Sequence, residues 1–126
     1  MDVAKTIRWI KNTASRYQKK TGDINYLFCS DKRILEVNNQ FLHHDYYTDI
    51  ITFDYSEHNR IAGDIFISID TVRSNAETFE TPFTEELNRV IIHGILHLCG
   101  YADKTAEEAK NMRLMEYEAL LQWNLL

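Results

Sequence analysis

The sequence predicts an α+β fold: a small mixed β-sheet packed against helices, with one buried helix at its centre. Three observations predict it. The apolar spacing reads, in chain order, as helix, strand, helix, two strands and then helices, which is not the regular alternation of a doubly wound sheet. The stretch from Leu87 to Leu98 is apolar nearly all round when wound as a helix, and such a helix is buried. Finally, 126 residues with 44% hydrophobic and 26% charged side chains suit one ordinary core, so residues 1–126 are expected to form one domain.

The first helix is expected from Val3 to Lys20, because Val3, Ile7, Ile10, Ala14 and Tyr17 recur at helical spacing and Gly22 supplies a stop. Ile24 to Cys29 has the β-branched and aromatic content of a strand. Asp31 can cap a second helix with Ile34, Asn38 and Phe41 inward. A polar aromatic loop, His43 to Tyr47, leads to two strands, Ile50–Tyr55 and Gly63–Ile69. Asp70 can cap a helix through Phe79 that buries Val72, Ala76 and Phe79.

Thr84-Glu85-Glu86 opens the central helix, with Leu87, Val90, Ile91, Gly94, Ile95 and Leu98 on one face and Ile92 and Leu96 roughly opposite. Thr105 and Glu108 have the spacing of a capping box, and the helix behind them is expected to bury Met112, Met115, Ala119 and Trp123.

Charge is uneven. Residues 1–33 carry +5 and the remainder −10, for a net −5. The net sign argues against nucleic acid, whose binding needs Lys and Arg. The basic first third reads either as a patch or as a solvated helix face. Met1-Asp2-Val3 runs straight into an amphipathic stretch, and Val90–Tyr101 is too short to span a bilayer, so a cytoplasmic protein without membrane contact is expected. Cys29 and Cys99 are too few for a disulfide framework and read as buried thiols.

The chemistry lies in His93-Gly94-Ile95-Leu96-His97-Leu98-Cys99-Gly100-Tyr101-Ala102-Asp103. Histidines four apart on a helix share a face, about 5–6 Å between Cβ atoms, so one cation can bridge both imidazoles. A histidine pair alone is commonly chance, but two unpartnered imidazoles on a buried helix would be costly. Gly100 can end the helix in a left-handed conformation, letting Asp103 return to the same ion, although an aspartate two residues before Thr105 reads equally as a turn residue. Three ligands, His93, His97 and Asp103, with a fourth position for water, suit one catalytic Zn2+ or another divalent metal.

The spacing parallels the long motif of the metzincin proteases, which gives the predicted fold a zincin-like character. Those enzymes place a glutamate base directly after the first histidine. Here that position is Gly94, so peptidase action is disfavoured. Cys99 points away from the shared histidine face, His43 and His44 read as solvent-facing or substrate-contacting, and His58 as a loop residue.

These residues resemble the YbeY family of zinc-dependent endoribonucleases and rRNA maturation factors. His93-Gly94-Ile95-Leu96-His97-Leu98-Cys99-Gly100-Tyr101 is similar to its H-G-x-L-H-L-x-G-Y signature. Thr48-Asp49-Ile50-Ile51-Thr52-Phe53 resembles its T-D-V-L-S-F block, and Gly63-Asp64-Ile65-Phe66-Ile67-Ser68 its G-D-I-x-I-S strand. Met112 and Glu116 fit its closing helix, and the likeness runs from about Leu35 to Leu120. Two departures stand out: Asp103 replaces the family's third histidine, and Leu42 occupies the place of an arginine.

The resemblance implies a metal-dependent endoribonuclease cutting single-stranded RNA in rRNA 3′-end maturation and ribosome quality control. Ribosomal RNA, the small ribosomal subunit or its associated proteins are the implied partners. In that reading the metal-bound water held by His93, His97 and Asp103 is the nucleophile, its pKa lowered toward about 7. Spacing identifies no general base. Asp49, Asp64 and His44 are candidates, although Asp49 reads equally as a strand-entry cap and Asp64 as a structural strand residue. Arg73, Arg60 or a loop histidine could substitute for the missing arginine. The alternative is a non-catalytic ribosome-associated factor whose metal braces the fold.

Overall fold

A computed structural model describes residues 2–42 and 48–126, the side chain of Leu42 apart. The elements run α1 (Val3–Arg16), β1 (Lys20–Cys29), α2 (Asp31–Leu42), β2 (Ile50–Asp54), β3 (Arg60–Ser68), α3 (Ile69–Thr78), α4 (Phe83–Leu98) and α5 (Ala106–Leu125). The three strands form one mixed sheet in the order β1-β3-β2, with β1 parallel and β2 antiparallel to the central β3. The α+β class read from the sequence is the class observed.

Side-chain alternation along β3 divides the core in two. Ile61, Ile65 and Ile67 are fully buried in a cluster with Val90, Ile91, Ile92 and Ile95 of α4 and Trp9 of α1. Phe66 faces the other way, packing with Phe53 of β2 against Ile34 and Val37 of α2 and Ile51 of β2. The sheet therefore carries α2 on one face and α4 on the other. Gly94 permits the second contact: a Cβ there would sit 3.0 Å from Ile50 Cδ1 and 3.1 Å from Ile65 Cδ1.

Several local expectations need correction. α1 stops at Arg16, not Lys20; Gln18 takes a left-handed φ of 59°, and Lys19 N–H donates to the Ala14 carbonyl at 2.9 Å. Gly22 is not the stop but part of a β-bulge, where the β1–β3 register shifts between Thr21 and Ile24. The buried face of α1 is Thr6, Trp9, Ile10, Thr13 and Ala14, leaving Val3 and Ile7 exposed. Burial of the threonines is tolerable because their hydroxyls donate to the Asp2 and Trp9 carbonyls four residues back.

The caps of α2 and α3 also differ. Ser30, not Asp31, accepts from the Arg33 N–H, and Ser68, not Asp70, accepts from the Thr71 N–H. The two aspartates join the elements instead: the Asp31 carboxylate accepts from the Ser68 and Thr71 hydroxyls, and Asp70 accepts from the Asp31 N–H. Phe41 and Phe79, expected inside, are exposed. The capping box at Thr105 and Glu108 is present, and Met112 and Ala119 are buried, with Met115 and Trp123 half-buried. Among the described residues no helix is long and apolar enough to cross a membrane.

Candidate metal centre

α4 brings His93 and His97 to the same side, one turn apart, in the lining of a cavity of about 490 Å3. The chain then reverses through a Schellman motif, in which Gly100 N–H donates to the His97 carbonyl at 2.9 Å and Tyr101 N–H to Leu96 at 3.1 Å. Gly100 adopts φ 102°, the positive value that disfavours a side chain. This reversal returns Asp103 to the histidines.

The three donor atoms form a triangle. His93 Nε2 lies 2.9 Å from His97 Nε2 and 3.2 Å from Asp103 Oδ2, and His97 Nε2 lies 3.4 Å from the same oxygen. Ligand bonds of about 2.0–2.1 Å in a tetrahedral zinc site imply ligand–ligand edges of about 3.3 Å, so the triangle fits an ion of that size.

The outer ring nitrogens determine what the inner ones can do. His97 Nδ1 lies 2.8 Å from the Tyr101 carbonyl oxygen, which can only accept, so Nδ1 carries the proton. His93 Nδ1 lies 2.6 Å from Glu116 Oε2, an acceptor of the same kind when ionised. In the neutral rings both Nε2 atoms then present lone pairs to each other and to a carboxylate oxygen. Such a convergence of donors calls for a cation.

Glu116 belongs to α5 and is 4% exposed, beside the equally buried Glu86 of α4. Arg89 joins them. Its Nε and Nη2 donate to the two oxygens of Glu86 at 2.7 and 2.8 Å, and its Nη1 to Glu116 Oε1 at 3.1 Å. Nη2 also pairs with Asp49 Oδ2 at 3.6 Å. Glu86 first, and then Glu116, hold Arg89 more firmly protonated than an ordinary arginine against the opposing cost of burial.

The other candidates are scattered. Asp49 lines the cavity, where Asp54, Asp103 and Lys104 also stand. Asp64 projects toward the α2 side of the sheet and accepts from Asn25 Nδ2 at 3.0 Å, so the structure does not bring it to the histidines. Arg73 lies over the Phe83 ring at 5.5 Å, and Arg60 donates to the Thr21 carbonyl, both away from the cavity lining. His43 and His44 fall outside the described residues, as does the side chain of Leu42. Cys99 is buried, and its thiol is pushed up to about 11 chiefly by desolvation. Sequence reasoning missed Glu86 and Arg89 and gave Glu116 no role at the histidines. An acid on the buried Met112–Glu116–Ala119 stripe, and an arginine one turn before His93, were the available signals.

A histidine pair on a buried helix, closed by a carboxylate over a small mixed sheet, defines a zincin-like α+β protein with a candidate metal centre. Residues 1–124 match the family described as Endoribonuclease YbeY. The chain is 66% identical over 112 residues to Endoribonuclease YbeY of Parabacteroides distasonis, covering 89% of this chain and 79% of that one. It is 64% identical over 115 residues to the protein of that name from Phocaeicola vulgatus, covering 91% and 83%. The solution structure of TM1509 from Thermotoga maritima superposes with a TM-score of 0.65 at 30% identity, covering 97% of this chain and 83% of the other. The chain belongs to the YbeY endoribonuclease family.

Proposed function

We propose that this chain, as a single domain over residues 1–126, is a single-strand-specific, zinc-dependent endoribonuclease of the cytoplasm. Its proposed work is rRNA 3′-end maturation and ribosome quality control, with the small ribosomal subunit or its associated proteins as partners. Membership of a family whose relatives are named endoribonucleases supports cleavage of RNA. The observation that carries the metal dependence is the convergence of His93 Nε2, His97 Nε2 and Asp103 Oδ2 within 4.8 Å of one another, with Glu116 and the Tyr101 carbonyl on the outer ring nitrogens.

A bound divalent ion would supply Lewis acidity toward a phosphoryl oxygen and an acidified water. The protein's own groups define the rest. Asp49, Asp54 and Asp103 against Lys104 give the cavity an acidic lining, which repels a phosphodiester until a cation offsets it. Asp49 faces this cavity with its carboxylate held by Arg89, and we assign it the role of accepting the proton of the attacking water. The cavity is open at the ligands, whose side chains are 17% (His93), 27% (His97) and 37% (Asp103) exposed. That access suits a reacting site better than a brace.

The test is incubation of zinc-loaded protein with an RNA spanning the 3′ end of small-subunit rRNA, beside His97→Ala at equal concentration. Cleavage by the parent and its loss in the variant is the expected result. Equal cleavage in both, or none in either, contradicts the reading and favours a non-catalytic ribosome-associated factor with a structural metal.

A further inference from the structure

Arg89 is not among the residues lining the cavity, and its four nitrogen–oxygen contacts go to three carboxylates outside the His93, His97 and Asp103 triangle. Two of those carboxylates, Glu86 and Glu116, are 4% exposed and come from different helices. Without a cation between them they repel each other across a low-dielectric gap. With Arg89 in place, Oε1 of Glu116 is occupied from one side, leaving Oε2 to face His93 Nδ1 at 2.6 Å. The same guanidinium reaches Asp49 on the cavity wall.

We propose that Arg89 is a positioning residue that sets the metal affinity of the site through Glu116, and ties the Asp49 carboxylate to the same frame. The inference rests on the metal reading of His93, His97 and Asp103. Its chemistry is that of an outer-shell partner: Arg89 fixes the carboxylate, the carboxylate fixes the imidazole, and the imidazole presents Nε2. A planar fork is required, because a lysine offers one nitrogen and cannot hold Glu86 in two places while reaching Glu116.

The experiment measures Zn2+ affinity of the metal-free protein by competition with a chromophoric chelator. The variants are Arg89→Lys, Arg89→Met, Glu116→Gln and the combinations of each arginine variant with Glu116→Gln. Far-ultraviolet circular dichroism and the metal-free melting temperature establish folding. Arg89→Lys keeps a positive charge among the carboxylates and serves where Arg89→Met does not fold.

The expected result is a loss of about tenfold to 100-fold in affinity on replacing Arg89 in the parent, the usual scale for outer-shell partners. In the Glu116→Gln background the further loss should be less than about twofold, because the path to His93 is already cut. An unchanged affinity in folded Arg89→Lys, or equal losses in both backgrounds, would overturn the proposal. His97→Ala in parallel separates the two levels. If it abolishes binding while Arg89→Lys does nothing, the metal reading stands and the role of Arg89 falls. If the parent and His97→Ala bind alike, both fall.

Discussion

At the scale of single residues, the question is which atom holds a proton. The Tyr101 carbonyl and the Glu116 carboxylate take the Nδ1 side of the two histidines, leaving Nε2 for an ion. The third candidate ligand, Asp103, is a carboxylate, where the family resemblance leads one to expect a neutral imidazole. A carboxylate reduces the ion's Lewis acidity and is more welcoming to hard cations. Asp103→His should therefore keep one zinc per chain while raising the ratio of Zn2+ to Mn2+ affinity, as read by competitive titration. A fallen or unchanged ratio would contradict this. Cys99 gives a second prediction. Its thiol rises from an ordinary 9.0 to about 11, so the folded protein keeps a proton that the unfolded chain releases. Stability should be intact below pH ~9 and decline as pH rises from 9 toward 11. Urea unfolding at pH 8 and pH 10 should show a smaller decline for Cys99→Ala than for the parent; equal declines would argue against the assignment. Local spacing was enough to find His93, His97 and Asp103 as candidates, because one helix and one turn connect them. Glu116 and Arg89 were not legible as a network, since they meet only when α5, 23 to 27 residues on, packs against α4.

At the scale of elements, the turn after α4 matters most. Gly100 holds φ 102° with nothing within 4 Å of where a Cβ would be, so its requirement is conformational rather than steric. Gly100→Ala should cost about 1 kcal/mol of stability and weaken Zn2+ binding, because the strained turn delivers Asp103. Urea unfolding and metal titration read the two effects separately, and a variant unchanged in both would contradict the account. Element order and type were legible from periodicity. The caps were not, because Ser30-Asp31 and Ser68-Ile69-Asp70 each offer two residues able to cap. Extended backbone at Ser68, with φ −80° and ψ 111°, decides the second case, and the sequence does not reveal it. The buried stripe of α1 was misread for a related reason. Trp9 is fully buried, its Nε1 donating to the Ala119 carbonyl at 2.7 Å, and the inward face of the helix is the one that carries it.

At the scale of the whole molecule, the mixed sheet separates two kinds of surface. One face supports α2; the other seats α4, and thereby the histidines, against the main core. The basic first third is partly engaged by the protein itself: Lys5 sits over the Trp123 ring, Arg16 pairs with Glu118 and Arg33 with Glu36. On the proposed nuclease reading, the acidic cavity and this partial self-neutralisation make a bound cation central to the approach of RNA. The most direct test is therefore equilibrium titration of metal-free protein with Zn2+, alongside His97→Ala. The account predicts one ion per chain in the parent and a loss of that site in the variant. Absence of binding in the parent, or the same affinity and stoichiometry in both, would contradict it.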